Sequence, residues 1–168
     1  MRVFQETQRF TQWWLQLINL TIVGLLFYGF YKWFYLGESM GNITADDSDN
    51  QIIFTLIIVL CLPLIYMFKL KTTIDEVGIH YQFTPINLSK KTIRWSELKN
   101  CYVRTYNPLK EFGGWGYRNS FGKSSAINVK GNIGIQLILM DGKKLLIGTQ
   151  KENDAKIIIE RYFKTNNE

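Results

Sequence analysis

Residues 13–36 read WWLQLINLTIVGLLFYGFYKWFYL. These 24 residues carry one charge, Lys32, and a helix rising about 1.5 Å per residue covers a bilayer core of about 30 Å at this length. Residues 51–70, QIIFTLIIVLCLPLIYMFKL, repeat the pattern over 20 positions, with Gln51, Thr55 and Lys69 as the clearly polar members. The pattern predicts two transmembrane helices, 13–36 and 51–70. A buried hairpin of a soluble domain is the competing reading, but the 98 residues after Leu70 are too few to cover two helices apolar on every side. A cleaved signal peptide fits poorly, because the apolar run is too long and no A-x-A-like site follows at 37–41.

The surroundings of the two runs predict their orientation. Trp13 and Trp14 stand at one end of the first run, and Phe27, Tyr28, Phe30, Tyr31, Trp33, Phe34 and Tyr35 at the other. Such aromatics favour the headgroup level, where Lys32 can extend its stem outward. The connection 37–50 contains Glu38, Asp46, Asp47 and Asp49 and no Lys or Arg, whereas Arg2, Arg9, Lys69 and Lys71 flank the other ends. The positive-inside rule then predicts a cytoplasmic segment 1–12, an extracytoplasmic loop 37–50 and a cytoplasmic domain 71–168, with both termini cytoplasmic. Gln16, Asn19 and Thr21 are expected to pack against the second helix, and Pro63 to kink it. The absence of an ionisable group at mid-membrane argues against transport by this chain alone.

The whole chain has 168 residues, a net charge of +6 and a mean hydropathy of -0.07, a value that averages the apolar runs with a polar remainder. Two cysteines, Cys61 and Cys101, exclude a disulfide framework, and the single His80 excludes most histidine-built metal chemistry. After Leu70 the sequence breaks into short alternating runs, predicting strands near 71–75, 79–83, 91–95, 99–106, 116–120, 126–130, 133–140 and 143–148. Asp141-Gly142 predicts a hairpin with a type I′ turn. Ile133, Ile135, Leu137 and Leu139 mark the apolar face of the strand before it. A C-terminal helix is expected, opened by Thr149 and Glu152 as a capping box, with Ala155, Ile158, Ile159 and Tyr162 as the stripe that closes the sheet or barrel. Residues 71–168 are expected to fold without the spans.

This order of strands and one closing helix resembles the pleckstrin-homology (PH)-like fold in its bacterial, membrane-attached form. Residues 6–14, ETQRFTQWW, resemble the start of an uncharacterised family of small bacterial two-span membrane proteins. WSEL at 95–98 is similar to a strand-to-strand turn of bacterial PH-like domains, and GGWGYR at 113–118 and KKLLIGTQ at 143–150 resemble recurring strings of that family. The resemblance implies an α+β membrane protein: a two-helix transmembrane hairpin, then a PH-like, partly open antiparallel β-barrel with a C-terminal α-helix. It brings no catalytic residues, cofactor or metal, and does not imply phosphoinositide binding.

Catalytic motifs are poorly supported. Gly122-Lys123-Ser124 suggests a phosphate loop, but five residues separate Gly116 from Gly122 where a Walker A motif has four, and the following SSAINV reads as strand. Cys101 and His80 lack a recognisable orienting group or oxyanion site, and read as a buried thiol and a surface histidine. Asp75, Glu76 and Asp141 read as turn carboxylates.

Charge is more informative: residues 71–168 hold 16 Lys or Arg against 9 Asp or Glu. Lys90, Lys91 and Arg94 are the densest basic run and the candidate headgroup contacts. Trp115, Tyr117 and Arg118 are the candidate partner-binding group, since Trp, Tyr and Arg dominate binding hot spots. The reading is a non-enzymatic membrane-anchored module that binds a protein partner or itself, with the lipid bilayer as its setting and no nucleic acid expected. The alternative is a domain that contacts or senses anionic lipid.

Overall fold

The computed structural model describes residues 3–120 and 124–165. Arg2, Gly122 and Lys123, which entered the charge and phosphate-loop readings, lie outside the described residues. The chain divides into two units: a helical unit, Thr11–Met67, and a β unit made of Met1–Phe10 together with Phe68–Glu168. The architecture is mixed α+β.

In the helical unit, α1 spans Trp13–Phe30 and continues as a π-helical turn, Tyr31–Leu36. Gly37, at φ +66°, ends it in the left-handed conformation that favours glycine. Trp33, expected in an interfacial belt, is instead buried: its ring meets Phe54 edge-on at 5.8 Å and its Nε1 donates to the Ile43 carbonyl. Lys32 pairs with Glu38 at 3.1 Å. Helix α2 spans Ser48–Met67, with Pro63 inside it and its first turn capped by Asp47, which accepts from the Asn50 N–H. Asn19 donates to the Tyr66 hydroxyl (2.9 Å), which donates to Gln16 Oε1 (2.6 Å), so two of the three polar residues of α1 do face the second helix. Thr21 bonds back to Leu17 O in its own helix. Among the described residues, Trp13–Leu36 alone is long and apolar enough to cross a membrane; the stretch Ser48–Leu64 is shorter, and the helix containing it ends at Met67, so Lys69 is not helical.

The β unit begins with a strand in the segment 1–12, where the sequence pattern predicts none. β1, Phe4–Arg9, pairs antiparallel with β2, Lys69–Ile74, from Phe4↔Ile74 to Arg9↔Lys69. β3 (Gly78–Thr84) and β4 (Lys91–Arg94) complete a four-stranded meander. A 3-10 turn at Trp95–Glu97 leads into the second sheet: β5 (Leu98–Thr105), β6 (Gly116–Ser120), β7 (Ser124–Asn128), β8 (Ile133–Leu139) and β9 (Lys144–Gly148), in the order β5-β8-β9-β7-β6. β7 and β9 run parallel, so the sheet is mixed rather than antiparallel, and no closed barrel forms among the described residues. Between β5 and β6 lies a short helix, α3, Pro108–Phe112.

One core holds both sheets and α4, Glu152–Thr165: Phe4, Leu70, Phe83, Trp95, Leu137 and Ile159 are among its members. The stripe Ala155, Ile158, Ile159 and Tyr162 packs there as predicted. The apolar face of β8 packs into the core through Ile135, Leu137 and Leu139, and the opposite face is covered as well at Gly134 and Gln136; Gln136 Nε2 donates to the Leu145 carbonyl at 3.4 Å and its Oε1 accepts from Arg104. The Asp141-Gly142 hairpin is present, but only Gly142 has positive φ (+82°) and its N–H closes on the Leu139 carbonyl. That is the three-residue hairpin with a left-handed glycine rather than type I′.

Residues 71–168 are not self-contained, because β1 contributes buried groups to the core. Phe4 is 4% exposed. Gln8 Nε2 donates to Gly148 O at 2.7 Å, and the Glu6 carboxylate accepts from Thr149 Oγ1 and the Gln150 N–H, both at 2.7 Å. Thr149 is therefore committed to β1 and to the Lys151 N–H, and the capping box with Glu152 does not form; Glu152 pairs with Lys156 instead.

Candidate functional site

The Trp115 group is built by α3 and the edge strand β6. Asn107 caps α3 by accepting from the Lys110 N–H, and Gly113 (φ +69°) ends the helix with its N–H on Leu109 O. The chain then turns so that Trp115 Nε1 donates to Gly131 O at 3.0 Å, while the Gly116 N–H donates to Asn128 Oδ1 at 2.8 Å. Arg118 Nε donates to Trp115 O at 3.1 Å. Trp115 is half-buried, neither a core residue nor a fully presented one.

Of the other two, Arg118 is fastened to Trp115 by that bond. Successive strand residues point to opposite faces. Tyr117, 38% exposed, therefore stands on the other face of β6 from Arg118. Trp115→Ala is expected to cost about 2 kcal/mol in chemical denaturation, below the about 3–5 kcal/mol of a fully buried ring; a cost below about 0.5 kcal/mol, the level of surface changes, would show that the indole does not brace the 130–132 turn.

The basic run is also divided. Lys91 pairs with Tyr81 in register and Arg94 with Gly78, so they occupy the two ends of β4 and opposite faces. Lys90 and Lys91 lie at the end next to the β3–β4 loop, and Arg94 lies at the end next to Trp95.

His80 is buried rather than superficial. Its Nε2 lies 2.9 Å from Asp75 Oδ2 and its Nδ1 2.8 Å from Thr92 Oγ1. This cluster joins the β2–β3 turn to β4, and the turn is itself closed by the Val77 N–H on Asp75 Oδ1. Partial burial raises the Asp75 pKa, but the His80 hydrogen bond, the Val77 and Gly78 N–H groups and the His80 charge outweigh it and hold the carboxyl below its usual range. A depressed folded-state pKa gives stability that is present above the unfolded value, about 3.9, and lost as pH falls through the folded value. Asp75→Asn is therefore expected to flatten the acid limb of stability against pH below about pH 4. An unchanged limb would remove Asp75 from the linkage.

Cys101 lies in the core of the two sheets, where burial pushes its thiol up to about 12. His80 alternates with Ile79 and Tyr81, which face that core, so the two candidates stand on opposite faces of the first sheet. A protonated, buried thiol is not a nucleophile at neutral pH. Among the described residues no group of three or more His, Cys, Asp or Glu could hold a metal.

No protein-family model matches the chain, and no curated protein matches it at a significant level. The functional reading therefore rests on the geometry.

Proposed function

We propose that the protein is a non-enzymatic, membrane-anchored interaction module, in which a two-helix hairpin holds a PH-like β domain at the cytoplasmic face of a bacterial inner membrane. The observation that carries this reading is the place of the helical unit in the chain. It leaves after Phe10 and returns at Phe68, between two strands paired as far as Arg9↔Lys69. A single crossing would leave β1 and β2 on opposite sides of a bilayer, so pairing requires an even number of crossings. Only 11% of the most apolar window of Trp13–Leu36 is buried, unlike a soluble core helix. The 20 residues of α2 reach about 30 Å as a helix.

The PH-like assignment is supported by a four-stranded meander facing the antiparallel strands β5, β8 and β9, with α4 closing the core; the β6–β7 hairpin extends the second sheet. The non-enzymatic assignment is supported by the separation of Cys101 from His80 and the commitment of His80 to Asp75 and Thr92. A protein partner or a second copy would use the edge around Trp115.

Topology tests the reading. With Cys61 replaced by Ser, a cysteine at Ser48 is expected to react with an impermeant reagent in intact cells, and one at Met140 only after lysis. Protection at Ser48 with labelling at Met140 would reverse the orientation, and the same result at both positions, protected until lysis or labelled in intact cells, would remove the two-crossing hairpin from the proposal.

A further inference from the structure

Leu88 is the most exposed large apolar side chain of the β unit among the described residues, at 76%, and Ile86 beside it is 52% exposed. Both lie in the β3–β4 loop, residues 85–90, which is fastened rather than loose. The Asn87 N–H donates to Phe83 O at 2.7 Å, and Gln82 Nε2 donates to Leu88 O. The backbone is thus fixed in a form that leaves the two apolar side chains outside the core.

The loop leaves from a basic rung. Thr84, the last residue of β3, is paired with Lys69, and Lys69 with Arg9. Lys71 follows two residues along the same face, and Lys90 ends the loop. None of these four cations is paired with a carboxylate among the described residues. Lys71 first, then partial burial, then Arg9 lower the pKa of Lys69, as expected where cations crowd without a counter-charge. Beyond this rung stand Phe10 and Phe68, edge to face at 6.2 Å, and then the chain enters the apolar unit.

We infer that the β3–β4 loop docks on a bilayer of anionic phospholipid, with Ile86 and Leu88 entering the headgroup–acyl boundary and Arg9, Lys69, Lys71 and Lys90 meeting the phosphates around them. The inference rests on the membrane reading above and adds a surface and a lipid class to it. Two apolar side chains beside a basic rung are too little for the core of a protein interface, which spans about 20–30 residues a side. They suit an interfacial contact, in which apolar insertion and attraction to anionic lipid add.

The test uses the full chain with Cys61→Ser, reconstituted in phosphatidylcholine vesicles with or without phosphatidylglycerol, some lipids carrying bromine on the acyl chains. An environment-sensitive dye is placed in turn at Leu88→Cys, Met140→Cys and Leu20→Cys. Met140 hydrogen-bonds Glu97 beyond the other end of β4 and is 65% exposed; Leu20 lies on α1 and is 67% exposed. With phosphatidylglycerol, the dyes at 88 and 20 are expected to be quenched by bromine and the dye at 140 not. Replacing Lys69 and Lys71 by Gln should lower the docked-to-undocked ratio at 88 about five-fold for each cation, the equivalent of about 1 kcal/mol. Quenching at 20 with none at 88 overturns the docking while leaving the membrane reading intact. A blue shift at 88 without bromine quenching means that protein covers the loop, and also overturns it. No quenching at either position ends both.

Discussion

Residues 71–168 alone are expected to remain unfolded, whereas a chain that joins residues 1–10 to 68–168 through a short flexible linker folds cooperatively. β1 brings Phe4 into the core, and losing a buried Phe side chain costs about 3–5 kcal/mol. It also carries the acceptors for Thr149 Oγ1 and the Gln150 N–H and the donor for Gly148 O. Hydrogen bonds to charged groups contribute about 1.5–3 kcal/mol each. Together these losses match the whole stability of an ordinary domain, about 5–15 kcal/mol. The linker is short because Phe10 and Phe68 already touch. Circular dichroism and denaturant titration of the two chains decide the matter; a cooperative transition for 71–168 would make β1 dispensable.

Trp95→Ala is expected to cost about 3–5 kcal/mol, the largest effect of any single substitution proposed for the β unit. The indole is 3% exposed, its Nε1 donates to Asp75 O at 2.9 Å, and its ring lies against Tyr162 and Phe163 of α4. One side chain thus fastens the β2–β3 turn, the joint between the sheets and the closing helix. Trp95→Phe keeps an aromatic ring but leaves the Asp75 carbonyl without its donor, and should cost less. Urea titration of the full chain in detergent measures both. Equal costs for Ala and Phe would assign the effect to the hydrogen bond rather than to packing.

The two predictions also mark where the sequence was legible. The eight strands after Leu70 and the α4 stripe could be read because apolar side chains alternate there with period two or recur at i, i+3, i+4 and i+7. Their ends shift by up to about two residues. β1 was not legible. Its inward positions are Phe4, Glu6 and Gln8, so the alternation that burial imposes is hidden by two polar residues, and their partners lie more than a hundred positions away. The parallel β7–β9 pairing leaves no local signature, since each strand reads the same in either direction.

The candidate surfaces were named from composition, and the register decides which members can act together. Arg94 is separated from Lys91 because three steps along a strand reverse the face, and it lies at the other end of β4 from Lys90. Lys69 was counted as the end of a helix, yet it is the centre of the basic rung. His80 read as a surface residue because a lone histidine between apolar neighbours gives no sign of an Asp75 partner across the turn.

The interruption of the first sheet by the helical unit also sets a timetable for biosynthesis. The first strand leaves the ribosome long before its partner, since 57 residues, Thr11–Met67, must be made in between. At about 5–20 residues per second this is a wait of roughly 3–11 s. Thr149 and Gln150, which satisfy Glu6, follow it by more than 140 positions. The first strand must therefore remain unpaired while both apolar helices emerge, and its final hydrogen bonds close only once the second sheet has been made.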